Sequence, residues 1–295
     1  METLQQFINY IKVEKRYSRF TVRAYSDDIS QFTAFCQDIY SSPDILSISQ
    51  SEIREWLISL LNSGISARSI RRKIASLNAY YKFCLRNHYI GRNPAEGIIL
   101  PRIEKKLPEF IKETSIDSIL STEQFERGFT GIRDRLVLEL FYATGIRLSE
   151  LVNLKEDSFN AYKSELRILG KRNKERIVPL TPHIILLIGE YKNARSEEFG
   201  TIPHNFLIVN DKGKPVYARM IQRLVHKYLE KGTTLHKKSP HLLRHTFATH
   251  MLNNGADLNA VKELLGHANL AATEIYTHNT YEKLKTIYKQ AHPRA

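Results

Sequence analysis

Apolar residues recur along the first hundred positions at the three- and four-residue spacing that puts them on one side of an α-helix. Leu4, Phe7, Ile8 and Ile11 form a first stripe. Val22, Tyr25, Ile29, Phe32, Phe35 and Ile39 form a second, which stops at the SSPD run of residues 41–44. A third stripe, Ile53, Trp56, Leu57, Leu60 and Leu61, ends at Asn62-Ser63-Gly64, where a glycine past the last periodic residue is a usual helix stop. Ser66 is a ready N-cap for the fourth, which carries Ile70, Ile74, Leu77, Tyr81 and Cys84 on one side.

Periodicity is lost between Asn93 and Thr114, in NPAEGIILPRIEKKLPEFIKET, a stretch with three prolines. The chain is therefore expected to divide into a helical domain over 1–100, a linker over 101–113 and a second domain over 114–295. That second part opens with helical patterns over Ile116–Leu120 and Arg133–Ala143. LRIL and ERIVPL then flank the polar turn GKRNK at 170–174, which reads as a β-hairpin. From Tyr217 onward the pattern is mostly helical again. The fold class predicted is mainly α with one small antiparallel β-sheet, placed in the second domain.

Charge adds a partner to this picture. The net charge is +13, and both parts are basic: 13 Lys and Arg against 9 Asp and Glu in residues 1–100, and 31 against 22 in the rest. A protein that grips a polyanion from two sides has this distribution. Arg68, Arg71, Arg72 and Lys73 crowd the first turns of the fourth helix, where cations oppose the macrodipole, so an external phosphate is expected there, with a solvated face as the alternative. Around the hairpin, Lys163, Arg167, Lys171, Arg172, Lys174 and Arg176 face only Glu165 and Glu175. A Lys-rich hairpin tip suits approach to a groove or a phosphate, which makes Arg172 and Lys174 candidate DNA contacts.

The two cysteines, Cys36 and Cys84, sit in apolar helical patterns and are expected as buried thiols in a reducing cytoplasm. The opening residues METLQQFINYIKVEKRYS contain no long apolar run, and no stretch approaches the length of a membrane span, so neither secretion nor membrane insertion is expected.

The densest chemistry lies in Ser239–His278, which holds His241, Arg244, His267 and Tyr276. Tyr276 is a latent nucleophile: a phenol titrates near ~10 and attacks only when its proton is removed and the developing charge is matched. Arg244 and Arg147, the latter in ATGIRLSEL, are candidates to match that charge. His241 and Arg244, three apart on a helix, share a face and can reach one phosphate. The HxxxH spacing of His241 and His245 does not fit a zinc peptidase, because Leu242 stands where the catalytic glutamate would follow and Arg244 would set a permanent cation beside the metal. No nucleophile elbow, phosphate-binding P-loop or dinucleotide fingerprint occurs, so no metal, nucleotide or other cofactor is expected.

Taken together and in order, ATGIRLSEL, GKRNKERIVPL and HLLRHTFATHMLNNGADLNAVKELLGHANLAATEIYTH resemble the signatures of the tyrosine recombinase/integrase family. Within it they resemble the Xer-type site-specific recombinases that resolve circular chromosome dimers. The resemblance spans essentially the whole chain. It implies an N-terminal helical, SAM-like core-binding domain joined to a C-terminal catalytic domain, the two closing on DNA as a C-shaped clamp.

It also implies roles: Tyr276 attacks a phosphodiester to give a 3′-phosphotyrosine, and Arg147 and Arg244 hold the non-bridging oxygens. Lys171 protonates the leaving 5′-oxygen, His241 assists proton transfer at the nucleophile, His267 hydrogen-bonds the phosphate, and Glu150 orients Arg147 or is only a helix-surface carboxylate. Arg172 stands where the family commonly has glycine, which leaves Lys174 as a reserve for Lys171. The partners implied are a double-stranded recombination site and four protomers on two duplexes, alike or shared with a paralogue. The tail stripe Tyr281, Leu284, Ile287 and Tyr288 is able to dock on the same or a neighbouring subunit, and the resemblance favours the neighbour. Alternatives carrying the same residues are a compact integrase or invertase of a mobile or phase-variable element, a type IB topoisomerase-like enzyme and a non-catalytic DNA-binding factor.

Overall fold

The computed structural model of the chain describes residues 2–40, 44–103, 109–170, 174–266 and 278–294. The chain divides into two units, Met1–Lys106 and Leu107–Ala295, each with its own hydrophobic core.

The first unit is four helices: α1 (Glu2–Val13), α2 (Arg19–Tyr40), α3 (Gln50–Asn62) and α4 (Ala67–Arg86). Ser49 and Glu52 form a capping box that starts α3, and Ser66 accepts from the Ser69 amide to start α4. The apolar stripes meet in one core around Phe7, Ile29, Phe32, Trp56, Ile70, Leu77, Tyr80 and Tyr81. Cys36 and Cys84 are free thiols buried in that core. Burial lifts the Cys36 thiol to about 11, which leaves it inert at neutral pH.

One polar group is enclosed with them. Asp28 on α2 is 1 % exposed and accepts from Arg72, from Lys73 at 3.2 Å and from Ser76 at 2.8 Å.

The second unit runs α5 (Glu113–Leu120), α6 (Phe129–Thr144), the single turn α7 (Leu148–Leu151), β1 (Phe159–Asn160), β2 (Glu165–Leu169), β3 (Glu175–Pro179), α8 (Pro182–Phe199), α9 (Ala218–Gly232), α10 (Pro240–Asn253), α11 (Leu258–Leu265) and α12 (His278–Ala291). The expected hairpin is β2–β3, antiparallel with Ile168 opposite Arg176 and Leu166 opposite Val178. The short β1 adds a third strand on the β2 side.

Helix α8 arises where the sequence showed no clear stripe. In HIILLIG the apolar residues are contiguous and mask the period, although Ile184, Leu187, Ile188 and Tyr191 are the ones buried and Leu186 stays exposed. Helix α6 is buried almost all round and packs against both α8 and α10. Being enclosed, its polar residues need partners. Asp134 accepts from Arg133 at 2.7 Å, and Glu139 accepts from Arg294 at 2.9 and 3.0 Å.

The tail stripe is used within the chain itself. Leu284 and Tyr288 of α12 are buried, and the Tyr288 hydroxyl donates to the Ala143 carbonyl of α6 at 2.9 Å. Among the described residues no helix is long and apolar enough to cross a membrane.

Candidate active site

Arg244 sits one turn into α10, where its neighbours Leu242, Leu243 and Phe247 anchor the helix in the core. Its side chain is carried inward with them, to 8 % exposure. One end of its guanidinium donates to the Gly145 carbonyl, and Nη2 donates to the Leu265 carbonyl at 2.7 Å. Among the described residues no carboxylate lies within ion-pair distance of it. Burial, followed by the like charges of Arg147 and Arg176, pulls the Arg244 guanidinium down to about 9, with only Glu150 opposing.

Gly145 makes this contact possible. It closes α6 in the left-handed region at φ +57°, which turns its carbonyl toward α10. Two residues on, Arg147 precedes α7 with extended backbone and one third of its side chain exposed. Its Nη1 donates to Glu150 Oε1 at 2.8 Å, its own amide to Glu150 Oε2 at 2.9 Å, and its Nη2 to the Gly266 carbonyl at 3.0 Å.

Glu150 is not the surface carboxylate that its place in a short polar turn would allow. It is buried, and Arg176 grips it from β3 with Nη1 on Oε1 at 3.0 Å and Nη2 on Oε2 at 2.8 Å. Burial alone would raise this carboxyl. The hydrogen bonds and charge of Arg176, with the Arg147 amide and guanidinium, outweigh it and hold the group near 2.

The three arginines share a second support. The last carbonyls of α11 lack helical partners and carry the negative end of the helix dipole. Leu264 accepts from Arg176 Nε at 2.8 Å, Leu265 from Arg244 and Gly266 from Arg147. Three guanidiniums thus stand around one carboxylate, and neutral carbonyls supply the remaining contacts. Among the described residues the cluster keeps a positive excess, with Arg147 one third exposed, a charge balance that suits an anion.

His241 projects from the first turn of α10 and is exposed, three residues before Arg244. Lys174 is exposed just before β3. Lys171, Arg172, His267 and Tyr276 lie outside the described residues.

In the first unit, Arg68 and Arg71 are exposed, and Arg71 donates to the Pro101 carbonyl at 3.3 Å. Arg72 keeps nearly half its surface while paired with Asp28. Lys73 corrects the expectation of a phosphate contact: it is 6 % exposed and committed to Asp28 and Gln31. The anion that its charge called for is supplied by α2, from 45 residues away.

Arg176 was legible in the sequence only as one of several hairpin cations. The strand alternation does point it inward, on the side of Val178 and opposite Ile168, while Glu175 faces out.

The sequence matches the Phage integrase family over residues 109–283 and the Phage integrase, N-terminal SAM-like domain over residues 4–88. It is 37 % identical over 297 residues to Tyrosine recombinase XerD of Staphylococcus haemolyticus, covering 100 % of both chains. It is 37 % identical over 317 residues to Tyrosine recombinase XerC of Chlorobaculum tepidum, covering 99 % of this chain and 94 % of the relative. The fold is that of XerH site-specific recombinase bound to palindromic difH substrate in a post-cleavage complex. Against that structure the TM-score is 0.74 at 23 % identity, over 96 % of this chain and 83 % of the other.

The chain belongs to the phage integrase family of tyrosine recombinases, which cleave and rejoin DNA strands. Its full-length relatives are Xer recombinases, and its activity is site-specific tyrosine recombination of that type.

Proposed function

We propose that Arg147 and Arg244 hold the two non-bridging oxygens of the scissile phosphate while the Tyr276 hydroxyl attacks phosphorus. In that step the bond from Tyr276 oxygen to phosphorus forms and the bond from phosphorus to the 5′-oxygen breaks. The phenolic proton passes to His241 or through it to solvent, and Lys171 donates a proton to the departing 5′-oxygen. His267 adds a hydrogen bond to the phosphate. The ester is retained as a 3′-phosphotyrosine, so an incoming 5′-hydroxyl reverses the step without an external energy source.

The observation that supports this reading is the pairing of Arg147 and Arg244 on adjacent carbonyls of α11 with one carboxylate among three guanidiniums. A preorganised cationic clamp does for a phosphoryl transition state what metal ions do elsewhere. Arg68, Arg71, Arg72 and the hairpin residues Arg172 and Lys174 are read as contacts to the duplex backbone.

The working assembly would be four protomers on two duplexes, formed by this chain alone or with a paralogue, in the cytoplasm. Likeness to both XerC and XerD proteins supports resolution of circular chromosome dimers as the biological role.

The test uses a duplex selected by the wild-type protein from a randomised pool and then nicked next to the cleavage position. The wild type should leave a denaturant-resistant protein–DNA adduct, and Tyr276→Phe should leave none while still binding. Binding without an adduct by the wild type would instead favour a DNA-binding factor. Product connectivity on two-site plasmids then separates dimer resolution and inversion from simple religation.

A further inference from the structure

Arg176 is a buried guanidinium with no function assigned to it by the reaction above. Its side chain is 4 % exposed, and each of its three nitrogens is engaged. Nη1 and Nη2 donate to the two oxygens of Glu150, and Nε donates to the Leu264 carbonyl. Buried in this way and turned onto Glu150 and Leu264, it does not present itself to a substrate directly. What it touches, however, are the supports of the two residues read as the phosphate clamp.

Each Glu150 oxygen that accepts from Arg176 also accepts from Arg147, one from its guanidinium and one from its amide. The Leu264 carbonyl held by Arg176 directly precedes the Leu265 and Gly266 carbonyls that hold Arg244 and Arg147. Arg176 also fills the space beside Gly266, where a Cβ would lie 3.1 Å from its Cδ.

We propose that Arg176 is a positioning residue for strand cleavage: it sets Arg147 through Glu150 and fixes the end of α11 against which Arg147 and Arg244 are both braced. The inference rests on the reading of Arg147 and Arg244 as the phosphate clamp. Among the described residues the charged groups facing Glu150 are Arg147 beside its own turn, Arg176 from β3 and, at longer range, Arg244 from α10.

The experiment compares full-length wild type with Arg176→Met, Arg176→Lys, the double variant Glu150→Gln/Arg176→Met and Arg147→Met. Single-turnover adduct formation is followed on the nicked duplex selected by the wild type. Each protein is given two forms of it, one with an ordinary scissile phosphodiester and one with a methylphosphonate there. The methylphosphonate lacks the negative charge that a cationic clamp must neutralise.

For Arg176→Met we expect cleavage of the phosphodiester to slow by roughly 10- to 100-fold, the scale of losing a group that orients a reacting one. Most of that deficit should vanish on the methylphosphonate, with DNA affinity unchanged and Arg176→Lys in between. The ratio of the Arg176→Met rate to the wild-type rate should also fall toward acid pH, because Glu150 keeps fewer cations and takes up a proton more readily. The double variant leaves no lone buried carboxylate, so it keeps the substrate comparison available should Arg176→Met fold poorly.

Equal deficits on both substrates would mark Arg176 as merely structural, and wild-type rates in the Arg176 variants would also overturn the proposal. Arg147→Met separates the two levels. If it cleaves the phosphodiester normally, the clamp reading itself falls. If it is slow and relieved by methylphosphonate while the Arg176 variants are unaffected, only the positioning role falls.

Discussion

Arg244 donates to the carbonyl of Gly145 across 99 residues of sequence, and so ties α10 to the turn that presents Arg147. The contact depends on a left-handed glycine packed against two core side chains. A Cβ at Gly145 would stand 2.6 Å from a Leu265 methyl and 2.7 Å from a Phe247 ring carbon.

Gly145→Ala should therefore lower stability by about 2–4 kcal/mol, combining left-handed strain with overpacking. Urea denaturation reads the loss. Cleavage measured well below the midpoint should fall further, since the carbonyl that braces Arg244 is displaced. An alanine variant with wild-type stability and rate would contradict the account of this turn.

Arg244→Lys should be nearly as damaging as removal. Lysine cannot bridge the Gly145 and Leu265 carbonyls with a planar fork. Burial and the neighbouring arginines already bring Arg244 down to about 9, and an ammonium, which starts lower, would be driven toward its neutral form in the same place. Adduct formation should drop by roughly 10²- to 10³-fold, the loss typical of one preorganised electrostatic donor. A pH–rate profile should show the lysine variant recovering little at alkaline pH.

The α4 cations should separate into two kinds. Asp28→Ala leaves Lys73 buried without its carboxylate, at a cost of about 3–5 kcal/mol. Arg68→Ala with Arg71→Ala should leave the melting temperature unchanged. It should weaken DNA binding and shrink the slope of log affinity against log salt by about one to two, provided both contact phosphate. Salt titrations by fluorescence anisotropy distinguish these outcomes, and an unchanged slope would remove the pair from the interface.

Acid should loosen the tail before it disturbs the arginine cluster. His292 is buried, stacked on Tyr288 at 4.9 Å, and accepts the Arg294 amide at Nδ1 while Nε2 faces the Tyr142 carbonyl at 3.4 Å. That geometry suits only the neutral ring protonated at Nε2, and burial brings His292 down to about 4.

The folded state thus refuses a proton that the unfolded chain accepts below its ordinary 6.5. Its stabilisation, on the order of 3 kcal/mol, is complete above that value and is lost as pH falls toward 4. Glu150 acts in the same direction but at lower pH. Its depressed value near 2 means that its contribution persists above its ordinary 4.5 and fades only as pH drops below that. Hydrogen-exchange protection factors over 278–294, corrected for the slower intrinsic exchange in acid, should fall between pH 6.5 and 4, and His292→Phe should flatten the pH dependence of stability there.

Sequence by itself determined the elements whose apolar residues are spaced by gaps: the four N-terminal helices, the hairpin and the C-terminal stripe. Such periods are local, and each can be read within a dozen residues. It also displayed Arg147, Arg244 and Tyr276 in an order that carries the family. The contiguous apolar run of α8 concealed its own period.

What only the tertiary structure decided is the use of individual charges. Lys73 looked like a phosphate contact until α2 supplied Asp28, and Arg176 looked like one cation of a basic hairpin until Glu150 and Leu264 met it from 26 and 88 residues away. A charge's role depends on which opposite charge or carbonyl is brought to it in a low-dielectric interior, and that is settled by packing between distant segments rather than by the residues beside it.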